Sequence, residues 1–455
     1  MSDKRFIVAF EIGSSKIKGA VGEVDHTGTL SVISIEEEPL TDAVRYGCIR
    51  KVQDVSDCIQ SITSKLNRHP AISPGTITGI YVSLGGQSLM SKATEVDRQF
   101  EEDTEITSKI IEQLKEQARR EGVPDRDVVA VLTRDFTVDT LPQRNPIGVF
   151  CHRITAGLTV IYCRPQLKGN LKRVFSEKLP LNINGHIVRP LAIAGITLTE
   201  DEKHLGCMLV DFGAETTTVS IYRGGTLRYL ATIPMGSRNI TRDLTALNCL
   251  EKRAEELKKA VGNVSPNRTT DNSAIFEGLD NTEVNNYIQA RTGEIITNIM
   301  EQPVYAGIKP EELPGGIIVT GGGSRLRGFE EMLANHSKMK VRRAVAMGPI
   351  SYTQQSQNSP DNVDVLALLS IAARLTSKPC VEMPIPAEQP PAEDVDDGIS
   401  RVGMDMDDHD PYRKGKSGKA EKKASFFERL GVRVMGILKD EDEDHFDDSD
   451  DESNK

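Results

Sequence analysis

The stretch VAFEIGSSKIKGAV, Val8 to Val21, returns two hundred residues later as MLVDFGAETTTVSI, Met208 to Ile221. Laid over each other, Glu11 meets Asp211, Gly13 meets Gly213 and Lys16 meets Thr216. Each copy reads as an apolar strand ending in an acid, a glycine turn and a second strand. A repeated unit sets the architecture before any single residue is weighed. Two such hairpins facing each other make a cradle for a polyphosphate and its metal ion, so a nucleotide is the first expected ligand.

At 455 residues the chain is too long for one ordinary core, and length suggests roughly two to four domains. Hydrophobic content of 38% supports a folded body. No run approaches the ~18 to 20 continuous apolar residues that would span a bilayer. The opening MSDKRFIVAF runs straight into a strand pattern, with too short an apolar region for a signal peptide. The 7 cysteines are an odd number without a C-x-x-C pair. That argues against a disulfide framework or zinc site and fits a reducing cytoplasm. The net charge of -11 is uneven: ten acids and one lysine lie between Asp440 and Lys455. The rest is nearly neutral, without the basic stripe that nucleic-acid binding needs.

Texture divides the chain. Period-two spacing of Phe6, Val8, Phe10 and Ile12 marks a strand, and Val52, Val55, Ile59 and Ile62 recur at helical spacing. Residues 1–79 are expected to form the first part of one lobe, and 80–165 an inserted small α+β domain. Residues 166–203 complete that lobe, 204–350 form a second lobe, and 351–376 supply a closing helix on the first. TRDLTALNCLEKRAEELKKAVG reads as one helical run ending at Gly262. Residues 377–423, rich in Pro, Asp and Lys, cannot bury enough apolar surface to fold and are expected to be a disordered linker. A patterned island at 424–439 and an acidic disordered tail at 440–455 follow.

Backbone amides in a glycine turn point at anions, and glycine lets a phosphate come close. In the first loop Gly13, Ser14 and Ser15 offer amides and hydroxyls, and Lys16 a compensating charge. In the second, Gly213 and Thr216 play the matching part. Asp211, with Glu11 opposite, is placed to hold Mg2+ through water. A third element, Gly321, Gly322 and Gly323 before a helix at Leu326, brings a helix N-terminus toward the ligand. Each glycine turn alone is ordinary structure. All three in this order, with the hairpins in matching register, point to nucleotide binding.

This order, closed by V-T-G-G-G-x-x-x-x-G-F-E, resembles the actin and hexokinase superfamily of ATP-binding folds. Within it, LTEDEKHLGCMLVDFG, GIIVTGGGSRLRGFEEML and LPQRNPIGVF resemble the bacterial FtsA cell-division family. The resemblance runs from Phe6 to Leu375 and again over the C-terminal island. It implies an α/β, actin-like, two-lobed ATPase fold with an inserted domain in place of one actin subdomain. It implies ATP and Mg2+ as ligands. In related filament proteins an E-x-x-K pair contacts the nucleoside, and Glu255 and Lys258 match that spacing. By spacing alone the pair is equally a surface helix salt bridge. The family further implies partners: the FtsZ C-terminal peptide, further copies of the chain in filaments or oligomers, membrane lipid and other division proteins. Two departures stand out. Glu11 replaces the usual aspartate, and D-x-G-x-G-T becomes D-F-G-A-E-T, so Glu215 replaces a glycine. A carboxylate there repels phosphate unless it faces magnesium or solvent. The connector LAIAGITLTEDEK is shorter than the family's, in a neighbourhood that in relatives positions the attacking water. ATP binding with slow hydrolysis is therefore expected, and no residue is assigned as catalytic.

The island SFFERLGVRVMGILK, Ser425 to Lys439, reads as an amphipathic helix. Phe426, Phe427, Leu430, Val434, Ile437 and Leu438 fall on one face at ~100° per residue. Arg429 and Arg433 flank it, and Ser425 with Glu428 has capping-box spacing. Such a helix lies in a membrane interface rather than crossing it. Docking back onto the body is the alternative. Six large side chains give at most ~1.5 to 3 kcal/mol each, against ~1 kcal/mol or more per residue ordered. One helix then binds weakly, and a polymer displaying many binds tightly. Together these readings describe an actin-like ATP-binding division protein that self-assembles and holds the FtsZ ring to the cytoplasmic face of the inner membrane at the septum. An ATP-dependent phosphotransferase of the sugar-kinase type is the alternative. A chaperone-type ATPase is disfavoured, because no peptide-binding domain follows the body.

Overall fold

The hairpin duplication is exact in register. Arg5–Ile12 pairs antiparallel with Lys16–Val24, placing Glu11 opposite Lys18. Cys207–Phe212 pairs with Thr217–Arg223, placing Asp211 opposite Thr218. Gly13 N–H donates to the Lys16 carbonyl at 3.0 Å, and Gly213 N–H to the Thr216 carbonyl at 2.9 Å. A Cβ on either glycine would stand 2.7 Å or 3.0 Å from that carbonyl, so both turns are closed by close backbone approach. Even the bulge in the second strand recurs, after Val21 and after Ile221. The structure is a computed structural model and describes residues 5–265, 275–276, 279–375 and 379–384.

Each hairpin seeds a mixed sheet. In the first lobe the strand order is Asn182–Val188, Gly79–Leu84, Arg5–Ile12, Lys16–Val24, Leu30–Pro39 and Ile350–Tyr352. In the second it is Thr226–Ile233, Thr217–Arg223, Cys207–Phe212, Ile317–Thr320 and Val341–Arg343. A parallel strand flanks the hairpin at the same place in both lobes: Gly79–Leu84 beside Arg5–Ile12, and Ile317–Thr320 beside Cys207–Phe212. Helix Val52–Asn67 covers the first sheet with Val55, Ile59, Ile62 and Leu66, all fully buried. Their three- and four-residue spacing forms one apolar stripe, worth ~1.5 to 3 kcal/mol per side chain. Helix Val363–Arg374 packs on Arg5–Ile12 and on Arg189–Thr197.

The inserted domain is a four-stranded antiparallel sheet, ordered Leu141–Gln143, Asp127–Val138, Phe150–Cys163 and Met90–Glu105. Helix Ser108–Glu121, capped by Thr107, lays Ile110, Ile111, Leu114 and Ala118 into a core that belongs to this domain. The domain leans on the second lobe: Thr159 Oγ1 donates to the Leu227 carbonyl at 3.0 Å, and Arg228 meets Asp135 at 2.8 Å.

Three sequence expectations need correction. The insertion does not begin at residue 80, because Gly79–Leu84 is a fully buried strand of the first-lobe sheet. An unbroken apolar run there is the mark of a strand covered on both faces. The helical run before Gly262 is two helices, Ser237–Leu244 and Glu251–Val261, broken where Asn248 turns left-handed at φ 57°. The expected linker from 377 starts too early: Cys380 is buried and Val381–Glu382 pairs with Thr76–Ile77. The remainder of that linker, the 424–439 helix and the acidic tail lie outside the described residues.

Gly19 tests the packing. A Cβ there would stand 2.5 Å from Ile62 Cγ2 and 2.9 Å from the Phe10 ring. Gly19→Ala is expected to cost ~1 to 3 kcal/mol by overpacking, read as a melting temperature lowered by several degrees in differential scanning fluorimetry.

Candidate functional site

The two hairpin ends meet across one cleft, and the residue that joins them is Arg189. It opens helix Arg189–Thr197, which continues directly from the first-lobe strand Asn182–Val188. Its Nη1 lies 2.7 Å from Glu11 Oε1, and its Nη2 lies 2.9 Å from Asp211 Oδ2. The Glu11 residue is 3% exposed and the Arg189 side chain 14%. Gly85 makes this seat possible, because a Cβ there would crowd Arg189 Nε at 3.2 Å. Burial pulls the guanidinium toward losing its proton, but Asp211 and Glu11 outweigh that and hold it charged. Burial also pushes the Glu11 carboxyl up to about 7, helped by Asp364 and opposed by Arg189 and Lys18.

Lys18 completes the first-lobe side. Its Nζ bonds Asp364 at 2.8 Å and the Asp361 carbonyl, and it is almost fully buried. Burial lowers its proton affinity, and Asp364 and Glu11 more than restore it. The expected phosphate-loop cation, Lys16, points elsewhere: it pairs with Glu37 at 2.7 Å on the neighbouring strand. Two residues along the same strand, Lys18 is the cation opposite Glu11. Ser14 is buried in the first turn and Ser15 exposed.

Glu215 does not turn to solvent and is 1% exposed. Its Oε1 accepts from Arg242 at 2.9 Å and Arg238 at 3.3 Å, and its Oε2 accepts from the Tyr46 backbone N–H at 2.7 Å. Arg238 also reaches Asp42 at 3.3 Å. Two guanidiniums neutralise the carboxylate, and it ties the second lobe's turn to the first lobe's small hairpin at Val44–Ile49. Thr216 beside it is buried.

The third loop is built by close approach. Gly321 adopts φ 86°, and a Cβ there would lie 2.4 Å from the Phe212 carbonyl and 2.6 Å from Asp211 Oδ1. Gly323 rests on the Phe212 ring, while Gly322 has open space around it. The helix does not begin at Leu326. Residues Gly322–Arg325 form a tight turn, and the helix runs Phe329–Ser337 after Gly328 at φ 79°. Leu326 packs toward Gly262, at the end of helix Glu251–Val261.

That helix carries the E-x-x-K pair. Lys258 is no surface residue: its Nζ reaches Glu255 at 2.6 Å, Thr241 Oγ1 at 2.8 Å and the Ser237 carbonyl at 3.1 Å. Burial lowers the Lys258 proton affinity, with Glu255 opposing. Ser237 N–H in turn donates to the Gly213 carbonyl at 3.0 Å. The pair is therefore two hydrogen bonds away from the second glycine turn. The structure thus brings the first, second and third loops and this helix to one cleft.

Sequence reasoning missed Arg189, Lys18, Arg238 and Arg242. One signal was available: GIYVSLGG, Gly79 to Gly86, and GIIVTGGG, Gly316 to Gly323, are the third strand and glycine loop of the same duplication. Reading it places Gly85 in the site. Among the described residues no helix is long and apolar enough to cross a membrane.

Glu215→Gln is expected to weaken the tie between lobes, since removing one partner of a buried ion pair costs ~3 to 5 kcal/mol. The readout is hydrogen exchange: amide protection falls at residues 44–49, while the core helix Val52–Asn67 keeps its own.

Comparison with known proteins places the chain in a family. The family model described as cell division protein FtsA matches residues 208–367, and the SHS2 domain inserted in FtsA matches residues 86–162. Cell division protein FtsA of Porphyromonas gingivalis is 32% identical over 346 residues, covering 73% of this chain and 72% of the relative. The Pseudomonas aeruginosa protein of the same name is 28% identical, covering 75% and 83%. The Escherichia coli K12 protein is 24% identical, covering 78% and 88%. Among solved structures, a PilM-PilN type IV pilus biogenesis complex superposes with a TM-score of 0.57 at 15% identity, covering 81% of this chain and 98% of that one.

Proposed function

The chain belongs to the FtsA family of cell-division proteins, and we propose that it is an ATP-binding, self-assembling tether for the FtsZ ring. The fold is the actin-like one, with the SHS2 domain inserted. The observation that carries the nucleotide reading is the exact hairpin duplication, with Glu11 and Asp211 at two facing turns. In this reading Gly13, Ser14 and Gly213 receive the phosphates, with Lys18 beside them as the buried cation. Gly322 borders the open side, and Glu255, Lys258 and Leu326 border the nucleoside. The Mg2+ ion expected between Glu11 and Asp211 does not fit the side chains as they stand, since Arg189 holds both carboxylates. No step is routed through it.

ATP acts by occupancy more than by turnover. A general base must come within hydrogen-bond reach of the water it activates. Here Glu11 and Asp211 are held by Arg189, and Glu215 by two arginines. The same fact disfavours the sugar-kinase alternative. Turnover is expected far below the ~10 per second of a typical enzyme, measured as phosphate release.

The tether part rests on the sequence pattern of 424–439 and on the family. Phe426, Phe427, Leu430, Val434, Ile437 and Leu438 enter the lipid interface, with Arg433 at its rim. Such a protein is peripheral, on the cytoplasmic face of the inner membrane at the septum. Its partners are the FtsZ C-terminal peptide, further copies of itself and other division proteins.

Two experiments test the reading. Gly322→Glu puts a negative charge into open space without a clash, so ATP affinity is expected to fall at least about tenfold with the apo melting temperature unchanged. Liposome pelleting of the full chain is expected to be lost when residues from Ala424 onward are removed. Pelleting that survives the truncation overturns the tether.

A further inference from the structure

The cleft contains a cation of its own. Glu11 comes from the first lobe and Asp211 from the second, and one guanidinium spans them at 2.7 and 2.9 Å. Its Cα is fixed in the first turn of helix Arg189–Thr197, with Pro190 next to it. Gly85 supplies the space beside Nε, and Gly321 supplies the space beside Asp211, since a Cβ there would stand 2.6 Å from its Oδ1. Nothing about this placement depends on a flexible surface side chain.

We propose that Arg189 takes the place of the divalent cation in this cleft, so that the protein binds a nucleoside polyphosphate independently of metal. This rests on the nucleotide reading above. A magnesium ion bound through water needs carboxylate lone pairs and tolerates no buried cation at hydrogen-bond distance from the same oxygens. Each acid here has one oxygen within 2.9 Å of the Arg189 guanidinium, a planar, permanently charged group. Among the described residues no cluster of three or more His, Cys, Asp or Glu could hold a metal ion elsewhere. Arg189 also keeps an unused donor: Nε is buried without a hydrogen-bond acceptor. A phosphate oxygen supplies the acceptor that this N–H lacks, and a second cation, Lys18, is the cross-strand partner of Glu11. In this inference the cation that stands at the phosphates is a resident guanidinium rather than a recruited ion.

The test is ATP affinity of the full chain by isothermal titration calorimetry, with excess Mg2+ and with EDTA. For the wild type the two dissociation constants are expected to agree within about threefold. Arg189→Gln frees both acids and is expected to bind at least about tenfold more weakly in EDTA, with much of the loss regained in Mg2+. Arg189→Lys keeps a charge at the position and is expected to stay metal-independent. Wild-type binding that falls about tenfold or more in EDTA overturns the inference. So does an Arg189→Gln protein as indifferent to Mg2+ as the wild type. Absence of wild-type binding in both media overturns the nucleotide reading itself, and this inference with it.

Discussion

Charge withdrawn from water must find a partner, and in this cleft the partners sit in opposite lobes. Arg189 in the first lobe holds Asp211 of the second. Glu215 in the second holds the Tyr46 amide of the first. None of these groups could be left alone without the cost of an uncompensated buried charge. Ion pairs tie the two hairpin turns together, while behind them one apolar core runs from the first lobe into the second through Leu209, Leu230 and Ile318, beside a further core within the second lobe. A ligand that entered would replace some of these contacts, and so would act on the spacing of the lobes.

Much of the fold was legible because backbone chemistry writes itself into sequence. A glycine turn whose Cβ would strike a carbonyl admits no other residue, so Gly13 and Gly213 survive in both copies and announce the duplication. The helical stripe Val55, Ile59, Ile62 follows from period alone. Strand Gly79–Leu84 was misplaced because an all-apolar run has no period to read. The helix break at Asn248 was missed because its flanks, TALNCLEKRAEE, are good helix formers on either side of one left-handed residue.

The site was legible in outline and not in its electrostatics. Glycines and the two acids were found, because they recur at matching positions. The arginines were not, because a lone Arg189, Arg238 or Arg242 carries no spacing that distinguishes it from a surface residue. Their meaning is conferred by long-range contact: Arg189 is 178 positions from Glu11, and Glu215 is 169 from Tyr46. Lys16 was preferred to Lys18 because it lies nearer the glycine turn. The strand register decides otherwise, setting Lys18 directly opposite Glu11. Glu215 read as an obstacle to phosphate only while its two guanidiniums were out of sight.

The two-residue strand Val381–Glu382 has a mechanical meaning. The chain leaves its last core helix at Arg374, then returns to lie antiparallel to Thr76–Ile77, with the Cys380 carbonyl accepting from Thr78 and Gly79. Any tension applied to the segment beyond 384 therefore enters the body at this short ladder, beside the loop that feeds the central parallel strand Gly79–Leu84. Force is delivered to a sheet edge by a few hydrogen bonds rather than to the end of a helix. Those bonds stand between such a pull and the core helix Val363–Arg374.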